Sequence, residues 1–196
     1  MPKADIVARL QLHFQPLTPE RWPDLERLFG ARGACAGCWC TWFLQSRADF
    51  ERNKGEGNRA VLREVVESGP PPGILAYAGE EPVGWCALAP RERYPLLARS
   101  RILSQVDAAP VWSVVCFFVT RPHRRRGVTV QLLRAAVDFA AGRGARVVEG
   151  YPVDTRGGRS ADTFAYHGLA SAFREAGFEE VARRSATRPI MRWVAP

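Results

Sequence analysis

The most constraining feature of the sequence is an apolar run that leads through an arginine-rich segment into an amphipathic helix. The run, 111–119, is rich in valine and phenylalanine, which favour β-strands. In 128–141, apolar residues recur at helical spacing, and Gly142 and Gly144 follow as helix-ending residues. The pattern predicts a strand–loop–helix unit whose helix buries one face: Val128, Leu132, Leu133, Ala136, Val137 and Ala140.

The loop of this unit has the properties of an anion site. Gly127 stands where the helix begins, and the first backbone N–H groups of a helix have no partner inside it. Those donors and the positive end of the helix bind phosphate groups. Further charge comes from Arg121, Arg124, Arg125 and Arg126. A basic turn that starts a helix and binds nothing would explain the same residues, so both interpretations stay open.

The rest of the chain predicts an α/β fold of α+β character in one domain that spans 1–196. The breaker at 68–73 is interpreted as a tight connection, since neither flank could bury a core alone. Few βαβ repeats occur, which favours a sheet of mixed direction. Helices are predicted over 18–30, 59–67 and 164–176, with a loop or short helix over 33–43, and strands over 7–14, 74–78, 82–89, 146–153, 178–185 and 189–194.

Composition narrows the partners and the compartment. The net charge of +8 favours a polyanionic partner without choosing among them. No apolar run reaches the roughly 18 residues of a membrane span. The first residues lack the apolar core of a signal peptide. We therefore expect a cytoplasmic protein without a membrane partner.

The cysteines are odd in number and partly clustered. Five of them, without an export signal, argue against a disulfide framework. The spacing of Cys35, Cys38 and Cys40 resembles part of a zinc site, but structural zinc usually takes four Cys or His ligands. We expect packed thiols and no metal.

The strand, loop and helix together resemble the GNAT superfamily of N-acetyltransferases. The family's cofactor signature is Arg or Gln, two residues, Gly, one residue, then Gly or Ala, and this chain has Arg124-Arg125-Arg126-Gly127-Val128-Thr129. Thr129 departs from the last position. The end of the chain is also similar, because Phe173 to Phe178 looks like the family's late helix closing in Gly-Phe. Only 30–57 has no obvious counterpart.

The resemblance implies a mixed central sheet of about seven strands flanked by helices, with acetyl-CoA or another acyl-CoA as co-substrate. It also implies how this co-substrate is held. Backbone groups of Phe117, Phe118 and Val119 would pair with the pantetheine arm where two strands splay apart. Backbone N–H groups would hold the pyrophosphate at Arg124, Arg125, Arg126, Gly127, Val128 and Thr129.

The usual catalytic positions of the family are vacant in this chain. Ser113 stands where several members have a basic Glu, and Phe173 stands where many have an acidic Tyr. As substitutes we predict Glu149 as base and Tyr166, on the late helix, as acid, although a surface Glu and a buried Tyr are the plainer interpretations. His167, Asp154 and a covalent Cys116 are weaker candidates.

The resemblance implies acyl transfer to an amine, which we expect to belong to a small molecule. Trp39, Trp42 and Phe43 could form an aromatic surface for it, or simply core. Two alternatives remain: a domain that binds coenzyme A without turning it over, and a basic nucleic-acid-binding protein. The second lacks the aromatic pattern of an RNA-recognition sheet, so no nucleic acid is expected. Homodimerisation stays open.

Overall fold

A seven-stranded mixed sheet forms the centre of the computed structural model, which describes residues 10–155 and 166–196. The strand order is β1-β2-β3-β4-β5-β7-β6, and β4 and β5 are its parallel pair. This confirms the predicted sheet of mixed direction. The strands are β1 His13–Pro16, β2 Gly73–Ala78, β3 Glu81–Pro90, β4 Trp112–Val119, β5 Val147–Gly150, β6 Glu179–Arg183 and β7 Pro189–Val194.

Helices cover both faces of the sheet. They are α1 Trp22–Phe29, α2 Arg47–Arg52, α3 Glu56–Ser68, α4 Pro95–Ala98, α5 Val128–Ala141 and α6 Ala170–Glu175. One apolar core lies between the sheet and α1, α3 and the segment 33–43, and the other lies between the sheet and α5 and α6. The predicted apolar face of α5 is buried in full. Among the described residues, no helix combines the length and the apolarity that crossing a bilayer requires.

Several elements differ from the sequence-based predictions, and β5 at Val147–Gly150 is shorter than the predicted strand over 146–153. The first strand occupies His13–Pro16 instead of 7–14, of which 7–9 lie outside the described residues. Helix α2 lies in a polar stretch for which the sequence predicts no helix, and Ser46 begins it by accepting a hydrogen bond from the backbone N–H of Asp49 at 3.1 Å. The late helix begins at Ala170, because Leu169 is extended and bridges to Val153.

Candidate active site

The site is built around the point where β4 and β5 separate. They pair over three positions only, the last of which joins Val114 to Gly150. The pairing of β4 with β3 also shifts there, since Ala87 and Leu88 face Cys116 and Val114, which leaves Val115 as an extra residue. Such a bulge bends a strand and increases its twist. Beyond it, β4 turns an edge of backbone groups toward a gap that β5 does not fill.

An arginine-rich loop follows β4 and leads into α5. Arg125 and Gly127 both have positive φ angles, 58° and 75°, and Gly127 is the residue from which the helix starts. A Cβ atom placed on Gly127 would meet nothing within 4 Å, so the space in front of the first-turn amides is open. The side chains of the loop arginines are exposed, and Arg124 Nε donates to the carbonyl oxygen of Val119 at 3.0 Å. This donor set fits a pyrophosphate.

A groove of about 490 Å³ continues from this loop along the outer side of α5. Its walls include Arg125, Arg126, Gly127, Gln131 and Arg134. Thr129, which departs from the family signature, lies half-buried in the first turn of the helix. The groove thus carries three arginines, Arg125, Arg126 and Arg134, together with the acidic Asp138 and Glu175.

On the other side of the β4 edge lies a small apolar pocket of about 190 Å³. Strand β4 forms one wall, and the segment 33–43, which had no obvious counterpart in the family, forms the opposite one. The lining residues are Ala34, Cys35, Cys38, Cys40, Trp42, Phe43, Phe50, Val115, Cys116, Phe117, Phe118 and Tyr166. Of the three aromatic residues considered in the sequence, Trp42 and Phe43 line the pocket, whereas Trp39 packs in the core, and their contact with an acceptor stays a prediction.

The sulfur atoms in this pocket contact one another. Cys116 Sγ lies 2.9 Å from Cys40 Sγ, and Cys38 lines the pocket beside them. Polar interaction with the Cys40 thiol lowers the pKa of the Cys38 thiol to about 6, while interaction with Cys116 and Cys38, together with burial, raises the pKa of Cys40 well above its ordinary value. In the described part of the chain, no cluster of Cys, His, Asp and Glu is arranged to hold a metal ion.

Glu149 lies in a buried network of charged and hydroxyl groups on the face of the sheet that also carries the apolar pocket. Its side chain is 1% exposed, and its two oxygens accept hydrogen bonds from Arg192 Nε at 2.7 Å and from Tyr151 Oη at 3.0 Å. Arg91 is 3.7 Å away from the same carboxylate. Ser113 is at the family's usual base position, and its Oγ lies 2.8 Å from Tyr151 Oη. Glu149 as base stays a prediction, and the structure connects it to Ser113 through Tyr151 instead of exposing it to the pocket.

Tyr166 lies at the pocket but outside the late helix on which the sequence predicts it. It belongs to a short turn before α6, and its ring packs against that of His167 at a tilt of 42°, with ring centroids 4.0 Å apart. Burial raises the pKa of Tyr166, so its hydroxyl keeps its proton at neutral pH. Burial lowers the pKa of His167 to about 3, and its Nδ1 lies 3.2 Å from the carbonyl oxygen of Val115. The neutral His167 therefore braces the bulge.

The other weak candidates have structural partners. Phe173, at the usual acid position, is fully buried against Phe117 and Phe178. Asp154 forms an ion pair with Arg183 at 2.7 Å. Tyr151 follows Glu149 by two residues, so strand alternation could have placed it on the same face. No local sequence signal indicates Arg91 and Arg192, because they are distant from Glu149 in the chain.

Comparison with known proteins decides the family. The model of the Acetyltransferase (GNAT) family matches residues 37–156, more than half of the chain. This chain belongs to the GNAT acetyltransferase family. The match begins inside 30–57, so most of that segment lies within the part that the family covers. A search of the curated proteins found no match.

Solved GNAT structures share the fold at low sequence identity. A GNAT acetyltransferase from Streptococcus agalactiae 2603 is 10% identical, with a TM-score of 0.57 over 94% of this chain and 96% of that chain. The aminoglycoside acetyltransferase AAC(6')-Ib, solved with coenzyme A, is 15% identical, with a TM-score of 0.52 over 94% and 95%. An acetyltransferase from Thermus thermophilus is 20% identical, with a TM-score of 0.50 over 95% and 98%. The GNAT fold therefore extends over nearly all of the chain.

Proposed function

We propose that this GNAT protein is an N-acetyltransferase that transfers acetyl from acetyl-CoA to the amine of a small acceptor with an apolar body. The observation that carries the proposal is the apolar pocket beside the open edge of β4. The proposal keeps the expectation of one domain over 1–196 that acts in the cytoplasm.

The chain offers separate groups for the two ends of the co-substrate. The backbone of Phe117, Phe118 and Val119 lies on the β4 edge that β5 leaves unpaired, where an extended amide-containing arm can hydrogen-bond as a strand would. The loop from Arg124 to Thr129 supplies amides and guanidinium groups for the phosphates. The thioester, which activates the acetyl group, would then lie near the pocket.

The pocket lining favours a neutral, apolar acceptor body. None of the described residues that line it is Asp or Glu, and its aromatic members are Trp42, Phe43, Phe50, Phe117, Phe118 and Tyr166. A polycation such as the kanamycin bound in a structure of AAC(6')-Ib would have no carboxylate to meet there. We therefore infer that the acceptor carries a single amine on an apolar or aromatic frame.

Thiol release from acetyl-CoA with a panel of amines tests this function. We expect turnover with small arylalkyl primary amines and none with kanamycin, because only the former match the apolar lining. The matched control is the N,N-dimethyl derivative of each active amine, which fills the pocket but cannot hold an acetyl group stably. If kanamycin were the only amine of the panel to be acetylated, the proposed acceptor class would be wrong. Acetyl-CoA binding without turnover of any amine would favour the silent coenzyme A-binding alternative, which the Ser113 and Phe173 positions support.

Tyr166 is proposed as the acid that protonates the leaving thiolate of coenzyme A. Tyr166→Phe should lower kcat by at least about tenfold, because general acid catalysis contributes that much or more. The acetyl-CoA affinity should stay near that of the wild type, since the ring is retained. Steady-state kinetics and calorimetry measure the two quantities.

Tyr94→Phe is the matched control, because Tyr94 is buried against Phe43 but does not line the pocket. An unchanged kcat in Tyr166→Phe, or an equal loss in both variants, would remove Tyr166 from the acid role.

A further inference from the structure

Four of the five cysteines gather at one pocket, although they come from distant parts of the chain. Cys40 and Cys116 are 76 residues apart in sequence, and their sulfur atoms are 2.9 Å apart. The remaining cysteine, Cys86, lies in the core on the opposite side of the sheet. The acetyl-transfer scheme proposed above uses none of these thiols.

The backbone around Cys40 is held in an unfavourable conformation. Trp39 and Cys40 have φ angles of 43° and 52°, and Ala34 and Ala36 in the same segment also have positive φ angles. Non-glycine residues in this region cost of order 1 kcal/mol or more each and persist only where surrounding contacts impose them. Such strain concentrates at functional sites.

A buried amide network supplies those contacts. Gln45 Nε2 donates to Asn58 Oδ1 at 2.8 Å, Asn53 Nδ2 donates to Gln45 Oε1 at 2.7 Å, and Asn58 Nδ2 donates to the carbonyl oxygen of Gly37 at 3.0 Å. Asn58 is fully buried. The network thus ties Gly37 and Thr41, on the two sides of Cys40, to Asn58 of α3 and to Gln45.

We propose that Cys40 and Cys116 are an oxidation site, which forms a reversible disulfide when a small hydroperoxide enters the pocket and reacts first with Cys38. Bonded sulfurs are about 2.05 Å apart, so the observed contact at 2.9 Å needs a shift of roughly 0.9 Å. Cys38 lines the same pocket and is partly open to solvent, whereas Cys40 and Cys116 are buried. Disulfides of this kind in reducing compartments are transient and redox-sensing.

The reaction balances with the hydroperoxide as oxidant. The Cys38 thiolate attacks one peroxide oxygen, the O–O bond breaks, and the other oxygen leaves as water or an alcohol after gaining a proton. The Cys40 sulfur then attacks the Cys38 sulfenic acid, which releases water and joins Cys38 to Cys40. Cys116 attacks the Cys40 sulfur and displaces Cys38 as a thiolate. In total, two thiols lose two hydrogens and one peroxide is reduced.

The environment of Cys38 suits its place as the first thiol to react. Polar interaction with the Cys40 thiol lowers the pKa of Cys38 to about 6, which makes Cys38 both the thiolate that meets the oxidant and the better leaving group in the exchange. The new bond would tie the segment 33–43 to β4 across the pocket. Because the acceptor is proposed to enter there, the oxidised protein should lose acetyl transfer, and this consequence alone rests on the proposed function.

Peptide mapping after oxidation tests the site. The full chain is treated with hydrogen peroxide, its remaining thiols are alkylated, and its peptides are analysed by mass spectrometry with and without dithiothreitol. We expect a Cys40–Cys116 linked peptide, lighter by two hydrogens than its separate parts and released by the reductant. Cys116→Ala and Cys116→Ser should both lack it. Cys35→Ser, in the same pocket but outside the Cys40–Cys116 contact, should retain it.

Three results would contradict the proposed disulfide. Alkylation of both Cys40 and Cys116 after peroxide treatment, or disulfides formed only between chains, would overturn the proposal. So would stoichiometric zinc in the purified protein that protects these thiols. For each variant, the rate of acetyl transfer after oxidation is compared with the rate of the same variant in its reduced form. Since the mapping needs neither acetyl-CoA nor an amine, failure of the disulfide is distinguishable from failure of the proposed function.

Discussion

Replacing Gly127 by glutamate is expected to weaken coenzyme A binding by at least about a hundredfold, a loss of roughly 3 kcal/mol. Gly127 has φ 75°, and a Cβ atom there would enter open space in front of the first turn of α5. A carboxylate would then lie where the amides and arginines meet phosphate, and like charges repel. The left-handed backbone adds strain of about 1 kcal/mol. The strain is the same with and without ligand, so the lower affinity comes from the charge repulsion.

Gly144→Glu is the matched control for this substitution. Gly144 has φ 82° and follows the far end of α5. A Cβ atom placed on it would meet nothing within 4 Å. It therefore imposes the same strain and the same charge about 25 Å away, given the rise of roughly 1.5 Å per helical residue. Calorimetry with coenzyme A measures both variants. Equal affinities in the two, or no loss in Gly127→Glu, would show that the loop does not bind the phosphates.

The strand–loop–helix unit could be predicted because its signals are local. The apolar run of β4, the helical spacing of α5 and the glycine between them are close together in the sequence, and each follows from backbone sterics or burial. The hairpin of β2 and β3 was predictable for the same reason. The separation of β4 from β5 was predicted only from the GNAT resemblance, because no local sequence pattern indicates it.

The contents of the pocket could not be predicted, because they depend on contacts between distant residues. Nothing near Cys40 in the sequence indicates Cys116, and Ala34 and Ala36 adopt left-handed angles that non-glycine residues rarely take. Apolar spacing predicts Tyr166 on a helix, but Gly168 with φ 76° and extended Leu169 delay that helix to Ala170. Tertiary pairing with Val153 decided the local conformation.

Glu149 presents the opposite case, because the sequence singles out the residue but does not indicate its environment. Glu149→Gln should lower the free energy of unfolding by about 3 kcal/mol, because it leaves the buried guanidinium groups of Arg192 and Arg91 without their shared carboxylate. Urea unfolding measures this. The control is Asp107→Asn, which removes the other carboxylate bound to Arg192. Its side chain is 49% exposed, so its loss should cost less than about 1 kcal/mol.

Glu149→Gln also distinguishes between two roles of Glu149, a catalytic base and an ion-pair partner. A base would lose kcat while the fold stays as stable as the wild type, whereas an ion-pair partner would lose stability and keep kcat at temperatures where the protein is folded. We expect the loss of stability, with a smaller change in kcat through the hydrogen bonds of Tyr151 and Ser113. Arg192→Gln supplies a further check. If the cost arises from an unpaired charge, the double variant should be less destabilised than the sum of the two single variants. Additive losses would mean that Glu149 and Arg192 stabilise the fold independently, and the ion-pair explanation would then be wrong.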